Sequence, residues 1–354
     1  MTSFQILKEL VSFDSVSGTD GVARCADWIF DFAGEHGCRC ERVGGGLIIS
    51  NGGDGDRGLV LSGHIDVVPV AGQNWAKNPF VVTQYFDEKL YGRGTSDMKG
   101  GVACMLHAIA KARVNWPLYL VLTCDEETAD ENIGDVAAFL RRTGKKLSCI
   151  VGEPTELAIC DRHKGGQTYD VHFIGRAGHC ADPKNGVSAI YMFADFARRF
   201  RDLAASFDGA TTTIGIVKGG TASNIIPERC DALIGFRYFD AKDGAAMMDE
   251  IQKIILEVEK EYGGRVEIEK TSELLPLLRR DDSPITDLAL RAGGGAVDTF
   301  PAMTEASILQ DAGLDAIVCG PGFFSMAHKP DEYTTQEQLD GYDEILNKII
   351  EMFA

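Results

Sequence analysis

The sequence lacks the features that mark a membrane-spanning protein or a nucleic-acid-binding protein. No run of about 18 apolar residues occurs, so no spanning helix is expected. Basic residues are few relative to acidic ones: Lys and Arg number 35 against 53 Asp and Glu, which gives a formal net charge of −18. Because this charge repels phosphate groups, neither nucleic acid nor an anionic membrane is expected as a partner.

The sequence also lacks a Cys-x-x-Cys pair, although it contains 10 cysteines. Several of them lie inside apolar segments, where they indicate buried free thiols and a reducing compartment. The first residues show the apolar spacing of a helix and lack the basic and then apolar pattern of a secretion signal. We therefore expect a cytoplasmic enzyme.

A chain of 354 residues exceeds what one ordinary core requires and predicts two domains. Apolar strands and helical patterns alternate near both ends, which is typical of an α/β domain with a mostly parallel sheet. Between them, alternating strands and two helices follow the order β-α-β-β-α-β of a ferredoxin-like α+β unit. We predict an α/β domain of residues 1–163 and 276–354, interrupted by an inserted domain of residues 164–275.

Side chains with useful chemistry follow several of the apolar strands. The run Leu59–Leu61 predicts a buried parallel strand, which a Ser-Gly pair should end, so that His64 lies at its C-terminal edge. Asp66 lies two residues further, on the same side of an extended chain, where a carboxylate commonly orients a metal-binding histidine. A His-x-Asp pair alone is more often structural, so its meaning depends on the rest of the chain.

Carboxylates follow in a glycine-rich loop and at the end of the next apolar strand. Asp97 lies in a glycine-rich loop before an apolar helix, and this acidic residue, with the absence of Gly-Lys-Ser/Thr, argues against a phosphate-binding loop. Residues 125–127 are all acidic and repel one another unless a cation or a proton compensates. Adjacent side chains of an extended chain point in opposite directions, so one of Glu126 and Glu127 can bind a metal while the other faces a bound water.

Two further side chains complete the pattern, each after an apolar strand. The set matches the ligands of two zinc-like ions, with one His and one terminal carboxylate for each ion and one aspartate shared as a bridge. Such a bridge holds two ions about 3.5–4 Å apart. Each residue alone is more often structural, but the joint pattern predicts a two-metal site. The five residues are His64, Asp97, Glu127, Glu153 and His328.

The segments around these residues resemble a known family over nearly the whole chain. It is the di-zinc amidohydrolase and exopeptidase family of acetylornithine deacetylase, succinyl-diaminopimelate desuccinylase, aminoacylase and glutamate carboxypeptidase. The segments are Gly63-His-Ile-Asp-Val-Val-Pro, Gly92-Arg-Gly-Thr-Ser-Asp-Met-Lys-Gly-Gly, Asp125-Glu-Glu-Thr, Gly152-Glu-Pro-Thr and His328-Lys-Pro-Asp-Glu-Tyr.

The resemblance implies a role for each of these positions. Two Zn²⁺, for which Co²⁺ can substitute, would be bound. One ion would take His64, Asp97 and Glu153, and the other Asp97, Glu127 and His328. Asp66 would orient the first histidine. Glu126 would be the general base and acid that takes a proton from the bridging water and passes it to the leaving amine.

Three residues outside the metal set are further candidates by resemblance. His179 would donate a hydrogen bond to the developing oxyanion, in dimeric members at the other subunit's site. Asn224 and Arg237 would bind the α-carboxylate of the substrate, for which a planar guanidinium is well suited. The alternatives are an exposed loop histidine and a surface arginine. Thr304, in a Thr-Glu-Ala segment like that of acetylornithine deacetylases, is the third candidate for substrate binding, after Asn224 and Arg237.

The resemblance implies a zinc-peptidase-like catalytic domain and an inserted domain that acts as a lid and forms a homodimer. The expected reaction is hydrolysis of the amide bond of a small N-acyl-L-amino acid. N-acetylornithine, whose deacetylation belongs to arginine biosynthesis, is the first candidate substrate. Acetylcitrulline, succinyl-diaminopimelate and dipeptides are the alternatives. A catalytically silent binding protein of the same fold is disfavoured by the intact Glu126 and the full ligand set.

Overall fold

The computed structural model describes residues 1–84, 88–128 and 131–353. The chain forms two compact units. The first consists of Met1–Arg162, Arg279–Phe300 and Thr304–Ala354, and the second, called the inserted unit below, of His163–Leu278 with Pro301–Met303. These limits lie within three residues of the predicted ones, except that Pro301–Met303 groups with the inserted unit. The assignment of catalytic and lid roles to the units stays a prediction. Among the described residues, no helix has the length and apolar character needed to cross a bilayer.

The first unit is built on a sheet whose eight described strands include a parallel centre. In spatial order, its strands are Arg39–Val43, Gly46–Asn51, Leu118–Thr123, Arg57–His64, Lys146–Val151, Asp315–Val318, Ile159–His163 and Val297–Phe300. The third to the sixth of these run parallel to one another, so their C-terminal ends share one edge of the sheet. This edge is where open α/β sheets bind their ligands.

The strand Arg57–His64 does not end at Ser62 and Gly63, as predicted from the sequence, but continues through both to His64. Its last residues pair in parallel with Val121 to Thr123. Gly63 serves close packing instead, because a Cβ there would lie 2.6 Å from the Cε atom of Met98. The consequence for the site is unchanged: His64 is the last residue of a rigid central strand.

Helices cover the sheet of the first unit and share a continuous apolar core with it. They are Ser3–Ser12, Asp20–Glu35, Lys99–Lys111, Asn132–Arg142, Pro284–Ala292, Ala306–Asp311 and Gln336–Met352. Lys99–Lys111 is buried on nearly every side and packs against both the first and the last of these helices, as expected for a helix that is apolar all round. A small sheet of Thr83–Gln84, Lys89–Tyr91 and Tyr333–Thr335 lies in the same unit. A 3₁₀ turn, Phe324–Met326, precedes His328.

The inserted unit contains an antiparallel four-stranded sheet and two helices. In chain order these are Gly165–Ile174, Ala189–Leu203, Thr211–Gly219, Arg229–Tyr238, Ala241–Tyr262 and Arg265–Leu274. The strands lie in the order second, third, first, fourth, which is the ferredoxin-like arrangement. A separate pair, Gly178–His179 and Ile225–Ile226, and two 3₁₀ turns, Pro183–Asn185 and Ala204–Ser206, complete the unit. The predicted fold class, an α/β domain with a ferredoxin-like insertion, is confirmed.

Candidate metal centre and neighbouring residues

The first predicted ligand group lies together at the C-terminal edge of the parallel strands. His64 is the last residue of its strand, and Glu153 follows the end of Lys146–Val151 by two residues. The Nε2 atom of His64 lies 3.2 Å from Oδ1 of Asp97 and 3.7 Å from Oε1 of Glu153. One ligand atom from each of the three residues falls within 4.8 Å of the others, and all three residues are buried. The structure therefore brings these three predicted ligands together.

The second predicted group shares Asp97 with the first. Its other oxygen, Oδ2, lies 3.4 Å from Nε2 of His328, and that nitrogen lies 3.0 Å from Oε2 of Glu127. These three residues also have ligand atoms within 4.8 Å of one another. Asp97 thus turns one carboxylate oxygen toward each histidine, which is the geometry that a bridging ligand of two ions requires.

Glu126 lies between these groups. Its Oε2 atom is 3.9 Å from Nε2 of His64, and together with Glu127 and His64 it forms a third set of donors within 4.8 Å. Of the two adjacent glutamates, it is Glu127 that has an ion-pair contact with His328. The side chain of Glu126 is 15% exposed, so it reaches both the donor groups and the solvent.

The electrostatics of the cluster favour cations. Burial raises the pKa of Glu153 well above its ordinary value, and the charge of Asp97 adds to this effect. Burial lowers the pKa of His64, but hydrogen bonds with Asp66 and Asp97 outweigh it and hold that pKa well above its usual value. Hydrogen bonds with Asp97 and with the second glutamate raise the pKa of His328 to about 10. All three shifts favour the protonated form of the group, and imidazole and carboxylate are among the donors that bind zinc.

Asp66 contacts this cluster through its backbone carbonyl as well as its carboxylate, and the sequence predicted only a carboxylate contact. The Nδ1 atom of His64 lies 3.0 Å from the backbone carbonyl oxygen of Asp66 and 3.6 Å from its carboxylate. The carboxylate also accepts hydrogen bonds from the Ser17 hydroxyl at 2.6 Å and from the backbone N–H groups of Glu126 and Glu127 at 3.3 and 3.2 Å. The strand ends at His64, so the same-side rule for extended chains no longer applies to Asp66.

Sequence reasoning missed several buried charged residues of the first unit, among them Glu305, Glu332 and Arg93. Glu305 accepts hydrogen bonds from the hydroxyl of Thr123, at a strand end, and from that of Ser62 at 3.3 Å. Glu332 and Arg93 form a buried ion pair with 2.7 Å between Oε2 and Nη1. Both members of that pair lie inside the segments that carry the family resemblance. That location was the one available signal, since a Glu or Arg in a loop is ordinarily solvated.

Two candidates of the inserted unit lie side by side. His179 is exposed, and its short strand pairs with Ile225–Ile226, directly after Asn224. Its Nδ1 atom accepts a hydrogen bond from the N–H of Ala181 at 3.1 Å, and the carbonyl of Asn224 accepts one from the N–H of Cys180 at 3.1 Å. The Nε2 atom of His179 has no partner among the hydrogen bonds of the described residues, so this side of the ring is available for a ligand.

Arg237 lies near the opposite end of the four-stranded sheet. It pairs with Gly166, whereas Arg229, eight residues earlier on the same strand and next to the Asn224 segment, pairs with Ile174. Eight residues of a strand span about 26 Å. One chain therefore does not bring Arg237 together with Asn224 or His179. The side chain of Arg237 crosses Gly166 so closely that a Cβ there would lie 2.6 Å from its Nη1 atom.

Thr304 is buried. Its hydroxyl accepts a hydrogen bond from the N–H of Ala306 at 3.2 Å, and its carbonyl accepts one from the hydroxyl of Ser307 at 3.1 Å. These contacts stabilise the start of the helix Ala306–Asp311. Substrate binding by Thr304 stays a prediction.

Comparison with known proteins decides the family. A family model described as Peptidase family M20/M25/M40 matches residues 60–352. The chain belongs to this family. It is 31% identical over 376 residues to the acetylornithine deacetylase of Aliivibrio fischeri (strain MJ11), with 97% of this chain and 96% of the relative covered. It is also 31% identical over 326 residues to the acetylornithine deacetylase of Klebsiella pneumoniae (strain 342), with 87% and 83% covered.

Solved structures agree on the fold of this M20 family member. Aminopeptidase PepT from Bacillus cereus superposes with a TM-score of 0.85 at 20% identity, with 99% of this chain and 97% of that chain covered. The Bacillus subtilis YXEP protein, described as a dinuclear metal binding peptidase from the M20 family, gives 0.77 at 13% identity, with 99% and 97% covered. The predicted family is thus confirmed, and the chain is a metal-dependent hydrolase of that family.

Proposed function

We propose that the chain is an N-acyl-L-amino acid amidohydrolase that uses two Zn²⁺ and that N-acetylornithine is its substrate. The observation that carries the proposal is the orientation of Asp97, which directs one oxygen to His64 and the other to His328. Glu153 and Glu127 then serve as the terminal carboxylates, one beside each histidine. Two bound ions would supply Lewis acidity, which would lower the pKa of a water and polarise the amide carbonyl.

The residues of the chain supply the proton transfers. Glu126 lies 3.9 Å from the His64 ring and is partly open to solvent, so its carboxylate can take a proton from the attacking water. The same carboxylic acid then gives the proton to the amine that leaves as the amide bond breaks. Asp66 holds the backbone of Glu126 through a 3.3 Å hydrogen bond, so this carboxylate is presented from a fixed turn.

The inserted unit supplies the contacts that recognise the acylated amino acid. Arg237 binds its α-carboxylate, and Gly166 leaves room for the guanidinium. His179 donates a hydrogen bond to the developing oxyanion. Because about 26 Å of strand separates Arg237 from the His179 end of the sheet, one substrate molecule meets these two side chains from different chains. We therefore propose a homodimer formed through the inserted units, with Asn224 and His179 acting on the partner's substrate.

The choice of acyl-amino acid rests on the relatives and on one segment. The relatives with 31% identity are named acetylornithine deacetylases, and Thr304-Glu-Ala resembles the corresponding segment of those enzymes. The ten cysteines are free, and seven of them are buried, which fits a reducing cytoplasm. In that compartment the enzyme would serve arginine biosynthesis.

A substrate screen tests this proposal. Purified chain loaded with Zn²⁺, and in parallel with Co²⁺, is assayed against N-acetylornithine, N-acetylcitrulline, N-succinyl-diaminopimelate and a set of dipeptides. We expect kcat/KM to be highest for N-acetylornithine, and Glu126→Gln to lower kcat by about 10²–10⁴-fold in every case. A higher kcat/KM for another compound replaces the substrate but keeps the reaction class. Hydrolysis of none of them by a chain that holds two ions would contradict the proposed function.

A further inference from the structure

Glu332 is fully buried, and its carboxylate accepts hydrogen bonds from the loop that carries Asp97. Oε1 accepts from the backbone N–H of Ser96 at 2.9 Å and from that of Asp97 at 3.0 Å. Oε2 accepts from the N–H of Gly94 at 3.0 Å. Three N–H groups of one loop therefore converge on a single carboxylate, which is the geometry of an anion-binding nest. The backbone that presents the Asp97 side chain is fixed by these bonds.

Arg93 extends this network from Glu332 toward His328. Its Nη1 atom donates to Oε2 of Glu332 at 2.7 Å, and its Nη2 atom donates to Oε1 of Gln73 at 2.7 Å. The amide Nε2 of Gln73 donates in turn to the backbone carbonyl of His328 at 2.9 Å. A continuous chain of hydrogen bonds thus joins the backbone of Asp97 to that of His328.

The segment that carries His328 needs such support because its backbone is unusual. His328 and Asp331 have φ angles of 63° and 53°, in the left-handed region that non-glycine residues seldom adopt. The carboxylate of Asp331 accepts hydrogen bonds from the N–H groups of Ala76 and Lys77 at 3.1 and 3.2 Å. Residues 73–77 therefore hold this segment at two points.

We propose that Glu332, with Arg93 as its counter-charge, is a positioning residue that sets the separation of Asp97 and His328 and thereby the affinity of the ion that these two share. The inference rests on the two-metal function proposed above. Metal–ligand distances vary by only about 0.2 Å around their usual values, and groups that fix the ligands affect affinity. A hydrogen-bonded link between two loop-borne ligands therefore acts on affinity. Glu332 touches the backbone of a ligand and acts through it, and its role is not catalytic.

Glu332→Gln is the central test. All four groups that contact the carboxylate are N–H donors, so an amide of the same size must turn an NH₂ group toward at least one of them. The full chain is stripped of metal and titrated with Co²⁺ by calorimetry, and the visible absorption of Co²⁺ reports the ligand geometry. We expect one of the two binding constants to fall by about 10–100-fold, with a changed spectrum for that ion.

A matched control separates positioning from general stability. Asp161 forms a carboxylate–arginine pair with Arg279, at 2.9 and 2.8 Å, in which the carboxylate is buried and the arginine side chain is 44% exposed. It contacts none of the five predicted ligands in the described part of the chain. Asp161→Asn should lower the melting temperature of the metal-free chain and leave both Co²⁺ constants within about twofold of wild type. Equal effects of the two variants on metal affinity would overturn the inference.

A second variant decides the matter if Glu332→Gln does not fold. Gln73 is half-buried at the surface, so Gln73→Ala should fold. It removes the hydrogen bond to the His328 carbonyl, together with those that Arg93 and Trp75 donate to Gln73, and leaves the contacts of Glu332 in place. We expect a loss of affinity for the same ion, smaller than for Glu332→Gln. If a folded Glu332→Gln chain has the Co²⁺ binding constants of the wild type, the inference is overturned; if that chain does not fold, the same result in Gln73→Ala overturns it. The proposed function still stands in either case, provided that the wild-type chain binds two ions. A wild-type chain that binds no Co²⁺ would overturn both.

Discussion

The adjacent glutamates at positions 126 and 127 offer the sharpest test of the site, because the structure permits two groupings of ligands. Glu127 belongs to a group with Asp97 and His328, and both glutamates belong to a group with His64. If Glu126 is the general base, Glu126→Gln keeps the size of the side chain but cannot accept a proton. If instead it is a ligand, the same change removes metal.

The distances indicate which of the two glutamates is expected to bind a metal ion. Oε2 of Glu127 is 3.0 Å from Nε2 of His328, whereas Oε2 of Glu126 is 3.9 Å from Nε2 of His64. We therefore expect Glu126→Gln to keep two ions and to lose about 10²–10⁴-fold in kcat, the usual range for general-base catalysis. That loss corresponds to about 3–5 kcal/mol of transition-state stabilisation. Glu127→Gln should lose most of its activity together with one ion.

The assay measures two quantities on each purified variant. Hydrolysis of N-acetylornithine at saturating Zn²⁺ gives kcat, and elemental analysis after gel filtration gives the number of ions per chain. A Glu126→Gln chain that retains one ion, beside a Glu127→Gln chain that retains two, would reverse the two roles. Near-wild-type kcat in Glu126→Gln with two ions bound would refute its role as the base altogether.

Three further predictions concern the bridge and the inserted unit. Asp97→Ala should bind both ions poorly, whereas His328→Ala should lose chiefly one; elemental analysis distinguishes them, and retention of two ions by Asp97→Ala would rule out the shared ligand. Arg237→Lys keeps the charge but not the two-pronged grip, so KM for substrates with a free α-carboxylate should rise while kcat stays near wild type; an unchanged KM would remove Arg237 from the substrate site. Chains of His179→Ala and of Glu126→Gln, each inactive alone, should recover about one quarter of wild-type activity when they are mixed and exchange subunits at random, because one site of each mixed dimer is then intact. No recovery from exchanged dimers would mean that His179 does not act across subunits.

The positions that the sequence predicted well are those where chain direction decides the outcome. A parallel strand delivers its last residue to one edge, so the locations of His64 and Glu153 follow from the apolar runs before them. The order of the inserted unit likewise follows from alternation and helical spacing, because each element buries one face. Local patterns suffice where the backbone is regular.

The positions that the sequence did not predict depend on irregular backbone or on distant partners. The chain turns after His64, so the carboxylate of Asp66 lies 3.6 Å from the ring and also accepts hydrogen bonds from the backbone of the two glutamates. The partner of Glu332 lies 239 residues away in sequence, at Arg93, and no local pattern indicates such a pairing. The distance from Arg237 to the His179 end of the sheet became visible only with the strand register.

The five predicted ligands differ in how the fold holds them. His64 ends a central strand and Glu153 follows another closely, so the sheet itself fixes both. Glu127 lies beyond its strand and depends on the carboxylate of Asp66. Asp97 and His328 come from loops, and they are the two that the Glu332 network joins.

A ligand that the sheet carries needs little further support, since its strand neighbours restrain it. A ligand in a loop keeps its place only as well as the polar contacts of that loop, and a buried charge can supply such contacts only with its counter-charge present. Substitutions in the apolar core that packs on the sheet should therefore lower mainly the free energy of unfolding. Substitutions in the Glu332 hydrogen-bond network should lower mainly the metal affinity. The Arg93 and Glu332 side chains are 1% and 0% exposed, so water does not compete for the N–H groups of the Asp97 loop that donate to Glu332. Such competition would loosen Asp97 and His328, the two predicted ligands that the sheet does not hold.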